Sequence, residues 1–277
     1  MDARRIGILH PGQMGIVVAV SARNSGNEVF WASEGRSADT RKRASDAGLK
    51  DAGTLAKLCE LCPVIVSVCP PEFAEEIAAQ VAQHSYHGTY VDANAITPER
   101  TQRIAHGMEA CGGLFVDGSI LGPPSNTRNR TWLCLSGDQA ATIAPYFSAG
   151  PVEVDIIAGG IGRASALKMC FAAYTKGSTA LACAVLASAE RLEVFDDLRR
   201  HFERNGPSLP TLEREIVRAA PKAWRYIAEM REIAATFQSA GMPPEFHQAS
   251  AEIFRRLEDF KGRQDPEVKD VLGTLLK

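Results

Sequence analysis

The chain has 277 residues, of which 45% are hydrophobic and 23% are charged, and its formal net charge is -2 at pH 7. These values are typical of a globular protein with one large or two modest domains, and the charge gives no reason to expect nucleic acid as a partner. The sequence has no run of about 18 consecutive apolar residues and no signal-peptide pattern. We therefore expect a cytoplasmic protein that binds neither nucleic acid nor membrane.

The first 158 residues alternate short apolar runs with amphipathic stretches, which is the pattern of β-α-β units on a mostly parallel sheet. This pattern predicts an N-terminal doubly wound sheet of the Rossmann type. In such open sheets a ligand binds outside the carboxyl ends of the strands, so candidate site residues are expected there. The predicted strands are 5–9, 28–32, 64–68, 89–92, 114–117 and 132–136.

From residue 159 to residue 277 the pattern becomes helical, which predicts an all-α second domain. A long alanine-rich helix is expected over 163–193. Pro221 suits the first position of another helix, and 245–261 carries a further amphipathic pattern. The predicted fold class is therefore α/β plus all-α, with a domain boundary between residues 158 and 159.

The segment ILHPGQMG, residues 8–15, follows the first predicted strand and begins the first helix. A dinucleotide loop of the form G-x-G-x-x-G has three glycines, and here His10 replaces the first of them. Because Pro11 biases the preceding residue toward extended geometry, we expect a proline-shaped turn in place of the missing glycine. The helix after Gly15 then directs unpaired backbone amides at an anion. A strand-to-helix turn without a ligand uses the same glycines, so both interpretations stay open.

The segment WASEGRSADTRKRA, at the end of the second predicted strand, bears on the choice of cofactor. Serine and arginine suit a ribose 2′-phosphate, so Ser33, Arg36 and Ser37 favour NADP. Glu34 favours the ribose 2′-hydroxyl of NAD instead. A solvated basic loop without a ligand is the remaining interpretation.

Five short motifs follow one another between residues 4 and 190: Ile6-Gly-x-x-x-x-Gly12-x-Met14-Gly15, Val-Cys69-Pro70-Pro71, Val91-Asp92-Ala-Asn94 followed by Pro98, Asp117-Gly-Ser119-x-x-Gly122, and a lysine on the long helix. In kind and order they resemble the motifs of the β-hydroxyacid dehydrogenases. That superfamily also holds 6-phosphogluconate dehydrogenase and the imine reductases. The C-terminal part resembles the helical domain of poorly characterised 6-phosphogluconate-dehydrogenase-like proteins.

The resemblance implies a cofactor, NADP with NAD as the alternative, a small-molecule substrate, and Lys168 as the general acid/base. Reduction of a carbonyl or imine by hydride needs a proton at oxygen or nitrogen, which a positioned lysine can supply. A lone lysine on an apolar helix that reaches solvent is the structural alternative. The residues expected at the cofactor are His10, Pro11, Gly12, Gln13, Met14, Gly15, Ser33, Arg36, Ser37, Cys69, Pro70 and Asn94, and those expected at the substrate are Ser119, Leu121, Gly122 and Ala172.

Three positions depart from the family pattern. Leu121 stands where the family usually has serine, Ala172 stands where it usually has asparagine, and Ala95 replaces a common threonine. Three functions therefore stay open: an oxidoreductase acting on a hydroxy-acid-like C=O or a C=N group, an imine or ketone reductase with a large apolar pocket, and a non-catalytic dinucleotide-binding sensor or assembly protein. The apolar face expected on the helical domain predicts a homodimer.

The seven cysteines predict reduced thiols rather than a disulfide framework, because their number is odd and they are scattered. Only Cys59-Glu-Leu-Cys62 has metal or redox spacing. No second pair or histidine cluster in the sequence completes four zinc ligands, so we expect no metal site.

Overall fold

The computed structural model describes residues 4–277. The chain divides into two compact units, Met1–Lys168 and Met169–Lys277. The first unit contains the β-strands, and the second is helical. The boundary between residues 158 and 159 expected from the sequence precedes the long helix that leads into the second unit, and it stays a prediction.

One eight-stranded sheet forms the centre of the first unit. Its strands are β1 Arg5–Leu9, β2 Glu28–Trp31, β3 Lys50–Asp51, β4 Val64–Ser67, β5 Thr89–Asp92, β6 Leu114–Leu121, β7 Thr131–Ser136 and β8 Val152–Ile156. Their order in the sheet is β3-β2-β1-β4-β5-β6-β7-β8, and every described pairing is parallel except β6 with β7. The strand order reverses between β1 and β4, which is the switch point of a doubly wound sheet. The predicted fold class is confirmed.

The observed strands differ from the predicted ones at three places. The two-residue strand β3 and the strand β8 were not predicted, since β3 is too short to show periodicity and β8 ends in exposed residues. Strand β6 continues past its predicted end at residue 117 to Leu121, because this part of it pairs with β7 as an antiparallel hairpin.

Six helices of the first unit join the strands: α1 Gln13–Asn24, α2 Ala38–Asp46, α3 Leu55–Leu61, α4 Ala74–Gln83, α5 Pro98–Ala110 and α6 Ala140–Ile143. Local sequence explains several of their starts. The Thr97 hydroxyl accepts a hydrogen bond from the Arg100 amide at 3.1 Å, and Pro98 occupies the first turn, so α5 begins there. The Thr54 hydroxyl caps α3 in the same way.

Two apolar clusters form the core of the first unit. Ile6 and Ile8 of β1 belong to one cluster with the apolar residues of α1, whereas Leu9 belongs to the other with Ile65 and Tyr90. Successive side chains of a strand point to opposite faces, so the two clusters cover the two faces of the sheet. Burial on both faces explains why the central strands are continuous apolar runs.

The long helix α7, Arg163–Arg191, begins in the first unit and continues into the second. The prediction of a helix over 163–193 is thus confirmed to within two residues at its C-terminal end. The other helices of the second unit are α8 Phe195–Asn205, α9 Leu209–Ala219, α10 Ala223–Ser239, α11 Glu245–Arg255 and α12 Val268–Leu275. The predicted helix 245–261 ends early, at Arg255, and a 3₁₀ turn over Glu258–Phe260 follows.

Helix α7 is long and apolar enough to cross a membrane, by length and composition alone: its most apolar 18-residue window has a mean hydropathy of 1.3. The helix holds no uninterrupted run of 18 apolar residues, as expected from the sequence, and the absence of a membrane partner stays a prediction. The many alanines of α7 raise the mean hydropathy without forming a run of large apolar residues. The core helix of a soluble protein satisfies the same criteria, and 39% of that window is buried inside the protein.

Candidate functional site

The carboxyl ends of four neighbouring parallel strands, in the order β2, β1, β4 and β5, carry most of the predicted cofactor residues. His10 directly follows β1, Ser33 lies just beyond β2, Cys69 lies beyond β4, and Asn94 lies beyond β5. Parallel strands end at the same edge of a sheet, so the fold brings these residues to one edge. This edge includes the switch point, where open α/β sheets bind ligands.

The loop between β1 and α1 turns tightly around His10. The Gly12 amide donates a hydrogen bond to the His10 carbonyl oxygen at 2.7 Å, and His10 has a φ of 66°. The extended geometry expected at His10 is therefore wrong. The residue adopts the left-handed conformation that glycine usually supplies and that histidine tolerates better than most residues. Gly15 has no room for a side chain, because a Cβ there would lie 2.5 Å from the His10 carbonyl oxygen.

Helix α1 offers its first turn to an anion. Gly12 is its N-cap residue, and within residues 4–277 no side chain caps the helix and no acidic residue lies in its first turn. Its first amides therefore lack helical partners, and the helix dipole adds positive potential at this end. Gly12 also leaves space, since a Cβ there would meet only the His10 carbonyl oxygen, at 3.9 Å. These residues fit the diphosphate of a dinucleotide.

His10 and Arg36 hold buried polar atoms beside this loop. Nδ1 of His10 and Nε of Arg36 are enclosed and have no hydrogen-bond partner among the described residues. Burial and the nearby charge of Arg36 lower the pKa of His10 to about 4, against a smaller opposite effect of a hydrogen bond with the Leu9 backbone. Burial also lowers the pKa of Arg36.

The predicted cofactor residues between β2 and α2 differ in burial and in hydrogen bonding. Arg36 is half-buried, whereas the side chain of Ser33 is buried. The Ser37 hydroxyl caps α2 by accepting a hydrogen bond from the Thr40 amide at 3.3 Å. Glu34 is exposed, and Arg43 on α2 donates to the Pro11 carbonyl oxygen at 3.2 Å. The guanidinium of Arg43 thus ties α2 to the β1–α1 loop, a contact that the sequence did not indicate.

Asn94 connects the ends of β4 and β5. Its side-chain oxygen accepts a hydrogen bond from the Cys69 amide at 2.6 Å, and its side-chain nitrogen donates to Asp92 at 2.9 Å and to Ser67 at 3.2 Å. Burial raises the pKa of Asp92 to about 7, the bonds from Asn94 oppose this, and the nearby Asp117 adds to it. Asn94 therefore holds the Cys69-Pro70 segment directly, and the buried Asp92 carboxyl orients the Asn94 side chain. Pro70 itself is exposed.

The titration of Asp92 predicts a pH-dependent stability. Its pKa is higher in the folded protein, about 7, than in the unfolded chain, about 3.9. The folded state therefore binds more protons between these values, and the free energy of unfolding falls as pH rises through this range. Relative to Asp92→Asn, the wild type is expected to lose about 2 to 3 kcal/mol between pH 5 and pH 7 and little above pH 8. Urea unfolding of both proteins at pH 5, 7 and 8.5 measures this, and parallel pH profiles would contradict it.

Lys168 lies on the first part of α7, and its Nζ donates a hydrogen bond to the Ile120 carbonyl oxygen on β6 at 2.7 Å. The side chain is half-buried rather than extended into solvent. The structural alternative, a lysine that reaches the surface, does not describe this position. The amine is held at the carboxyl end of β6, the strand beside β5.

Asp117 on β6 fixes the start of α7. Its carboxylate accepts hydrogen bonds from the amides of Gly162, Ala164 and Ser165 and from the hydroxyls of Ser136 and Ser165, at 2.6 to 3.2 Å. Burial raises its pKa, and these bonds oppose that effect. Asp117 thus caps the start of α7 and not the turn that follows its own strand. The residues that donate to it lie 45 to 48 positions later or in β7, so they could not be predicted from the local sequence.

The predicted substrate residues do not all face open space. Ser119 is fully buried on β6, opposite Cys134 of β7, and its hydroxyl interacts with the Cys134 thiol. Leu121 is buried in a small cluster with Cys134 and Ala164. Gly122 has a φ of 90°, and a Cβ there would overlap the Arg130 carbonyl oxygen, so only glycine fits. Ala172 lies in the second unit and is buried there.

Seven free cysteines occur in the described chain, and burial raises the pKa of Cys59 to about 11 and of Cys62 to about 12. Both thiols therefore stay protonated at neutral pH and behave as small apolar side chains. Residues 4–277 contain no group of three or more histidine, cysteine, aspartate or glutamate side chains placed to hold a metal ion.

Comparison with known protein families gives two matches. Residues 5–149 match the NAD binding domain of 6-phosphogluconate dehydrogenase, which covers strands β1 to β7 and the β1–α1 loop. The chain belongs to this family. Residues 189–257 match a domain of unknown function, DUF1932, in the helical unit. The membership confirms the resemblance drawn from the five motifs and indicates a nicotinamide dinucleotide as the cofactor.

Individual relatives of this family member agree on the fold. An uncharacterised 28.5 kDa protein from Methanothermus fervidus is 26% identical over 234 residues, which cover 84% of this chain and 90% of that protein. A conserved protein of unknown function with structural similarity to 3-hydroxyacid dehydrogenases has a TM-score of 0.68 and 28% identity. The match covers 92% of this chain and 97% of that protein's chain. The Mycobacterium tuberculosis 3-hydroxyisobutyrate dehydrogenase has a TM-score of 0.71 at 15% identity, covering 99% and 100%. The last likeness concerns the fold alone.

Proposed function

We propose that this protein is an NADP-dependent oxidoreductase that transfers hydride between the nicotinamide and a C=O or C=N group, with Lys168 as general acid/base. The observation that supports this most is the position of Lys168. Its Nζ is held at the carboxyl end of β6, in the same sheet as β1, which carries the phosphate loop; β4 and β5 lie between the two strands. A cation fixed there suits a reaction in which negative charge develops on oxygen or a nitrogen takes up a proton.

The proposed step balances as follows in the direction of reduction. When bound, the reduced dinucleotide supplies a hydride to the carbon of the C=O or C=N group. The second bond of that group opens, and its electron pair moves to the oxygen or nitrogen, which takes a proton from Nζ of Lys168. Lys168 is left as a neutral amine and regains its proton from solvent. The chain's other residues bind and orient the reactants.

The proposed substrate class is a small hydroxy acid, its keto form or an imine analogue. The family resemblance alone favours a substrate with less polar surface than a short 3-hydroxy acid, because Leu121 and Ala172 stand at two usually polar positions. A panel of small hydroxy acids, bulkier ketones and cyclic imines, assayed with NADPH, measures this. If the smallest acids were the preferred substrates, an apolar pocket would be contradicted. The proposal of an oxidoreductase would still stand.

The preference for NADP is tested at Arg36. Arg36→Ala removes the cation at the end of β2, so NADPH affinity is expected to fall about 10- to 100-fold, and at least tenfold more than NADH affinity. Titration of each cofactor, followed by energy transfer from tryptophan to the reduced nicotinamide, measures both. Lys42→Ala on α2 is the matched control, since Lys42 pairs with Asp46 at the surface. Equal losses for the two cofactors would contradict a 2′-phosphate site.

We also propose that the protein forms a homodimer through the exposed side of α7 in the second unit. Phe171, Tyr174 and Leu181 lie on one side of this helix and are 45%, 78% and 51% exposed. An apolar stripe of this kind favours association. Tyr174→Asp is expected to convert a dimer to a monomer at micromolar concentration in light scattering, whereas Gln248→Asp on α11 leaves it unchanged. The proposal would be contradicted if the wild type were a monomer at the same concentration in buffer without detergent.

A further inference from the structure

A cavity of about 530 Å³ lies in the helical unit, between α9 and the segment that follows the 3₁₀ turn over Glu258–Phe260. Three of its seven lining residues are arginines: Arg214 and Arg218 from α9, and Arg263 from the later segment. Asp265 is the one acidic residue that lines it in the described chain. A volume of this size is typical of sites for small molecules.

The three guanidinium groups make few contacts with acceptors of the protein. The Arg214 guanidinium lies 3.4 Å from the Thr211 hydroxyl. Arg218 lies 3.5 Å from Glu215, and both side chains of this ion pair are about half exposed, so the pair contributes little. The described chain holds no carboxylate that pairs with Arg214 or Arg263. Most N–H donors of these arginines therefore remain for a ligand.

Two features of the chain bring the guanidinium groups to the same cavity. Arg214 and Arg218 stand one turn apart on α9, so their side chains leave the same face of the helix. The Arg263 guanidinium carbon lies 4.7 Å from the centre of the Phe260 ring, and Phe260 is buried. Stacking on this fixed ring restricts Arg263 and leaves the N–H groups at the edge of its guanidinium accessible.

Positive charge at this cavity exceeds negative charge. Lys222 is half-buried, and burial together with the charges of Arg218 and Arg225 lowers the pKa of its amine. Asp265 forms no ion pair with any described residue, so it neutralises none of the arginines directly. The lining residues alone leave two positive charges uncompensated, and Lys222 offsets Glu215 beside them. An anion with two negative charges matches this excess.

An adjoining cavity is balanced in charge. It measures about 520 Å³, shares Arg214 and Val217 with the first cavity, and is also lined by Glu213, Glu267 and Lys269. Its two acidic and two basic residues offset one another. The arginine-rich cavity therefore differs from its neighbour in charge. Lys269 lines the adjoining cavity alone and provides a control position.

We propose that the arginine-rich cavity binds a small organic dianion from solution, a phosphate monoester or a dicarboxylate, whose charges pair with Arg214, Arg218 and Arg263. A planar guanidinium donates two parallel hydrogen bonds to either group. The apolar side chains of Val217 and Pro221 also line the cavity and suit the carbon chain of such a ligand. This site goes beyond the proposed oxidoreductase function, because it needs no dinucleotide and none of its residues was expected at the cofactor or the substrate.

Binding is measured on the full chain by the methyl signals of Val217, assigned with Val217→Ile, during titration with glycerol 3-phosphate and with succinate. At least one of the two is expected to give saturable shifts with a Kd of about 1 mM or lower, and uncharged glycerol is expected to give none. The tighter ligand shows whether the site prefers a phosphate monoester or a dicarboxylate. Because Val217 lines the cavity, phosphate bound at the β1–α1 loop of the first unit does not produce this signal.

Substitutions separate a specific site from general attraction to positive charge. Arg263→Gln and Arg218→Gln are each expected to weaken binding about tenfold, since each removes charge-assisted hydrogen bonds to the anion. Asp265→Asn is expected to strengthen binding about threefold, because it removes a negative charge. Asp265 has a φ of 43°, which asparagine tolerates, so this variant keeps the backbone. Lys269→Gln, the control, is expected to leave the Kd unchanged.

The inference is wrong if neither ligand shifts the Val217 signals at about 10 mM, roughly ten times the expected Kd. Sedimentation of the protein with vesicles of phosphatidylcholine and phosphatidic acid, in that case, assigns the arginines to a lipid headgroup instead. Equal losses in Lys269→Gln and Arg263→Gln, or weaker binding by Asp265→Asn, would also refute it, because they show that the cavity does not select the anion. Each of these results leaves the proposed oxidoreductase standing, since the cofactor titration does not depend on this cavity.

Discussion

Lys168→Ala is expected to lower kcat by about a thousandfold and to leave NADPH affinity within about twofold of the wild type. The variant removes the amine that is held against the Ile120 carbonyl oxygen, so the oxygen or nitrogen of the substrate must take its proton from water. Cofactor affinity is expected to be unaffected because β4 and β5 lie between the strand that holds Lys168 and the strand that carries the phosphate loop. Steady-state rates and NADPH titration on the same preparation measure the two effects.

Two further substitutions show whether the proton or the charge matters. Lys168→Met keeps the length of the side chain without a charge and is expected to match Lys168→Ala in rate. Lys168→Arg keeps the charge, but a guanidinium does not give up a proton near neutral pH, so kcat is expected to stay at least a hundredfold low. Full activity in Lys168→Ala would exclude Lys168 as the acid. A wild type that binds NADPH and reduces nothing in the substrate panel would favour the non-catalytic sensor instead.

Elements buried on both faces of the sheet were the most predictable part of this chain. The prediction of β1 as 5–9 and of β5 as 89–92 matches the observed strands, because each is a short apolar run bounded by turn residues. The two-residue strand β3 has no periodicity to detect, and β8 has a partly exposed sequence that packing completes. Helix α7 was predictable in length, because its alanine-rich sequence runs from 163 to 191 without an internal proline.

The site shows where local sequence reasoning stops. The order of strands places His10, Cys69 and Asn94 at one edge, so their proximity follows from the β-α-β pattern. The sign of φ at His10 does not follow from it, because the bias from Pro11 was outweighed by the tight turn that the Gly12 amide closes. The raised pKa of Asp92 depends on complete burial among neighbours from other strands, which a single sequence does not specify.

Ser119 illustrates the difference between a motif and an accessible group. Its place in the Asp117-Gly-Ser119-x-x-Gly122 motif suggested a substrate contact, yet its hydroxyl is fully enclosed between β6 and β7. Side chains alternate along a strand, so Ser119 and Asp117 share one face of β6 while Ile120 lies on the other. The role of Ser119 toward substrate stays a prediction. The backbone carbonyl of Ile120 is the group of this strand that meets Lys168.

Asp117→Ala is expected to lower the free energy of unfolding of the first unit by about 3 kcal/mol or more. The substitution removes one buried carboxylate that accepts five hydrogen bonds, three from amides at the start of α7 and two from serine hydroxyls. These donors lie in a buried region. Each donor that loses its acceptor there is removed from water without a hydrogen bond in return, which lowers the stability of the folded state. The Thr101 hydroxyl keeps its own contact with Ser165, at 2.8 Å, so part of the network survives.

Urea unfolding measures this effect through Trp31 and Trp132, which lie in β2 and β7, in a Trp224→Phe background that silences the tryptophan of the helical unit. Asp117→Asn keeps the size and one acceptor oxygen, so its loss is expected to be smaller. Asp155→Ala on β8 is the control, because that carboxylate is exposed and its removal is expected to cost less than about 0.5 kcal/mol. If Asp117→Ala were as stable as the control, the carboxylate would not hold α7 against β6.

Loss of this anchor predicts a second effect, because Lys168 lies one turn beyond Ser165 on the same helix. Asp117→Asn is expected to lower kcat without changing NADPH affinity, in a protein that remains folded at the assay temperature.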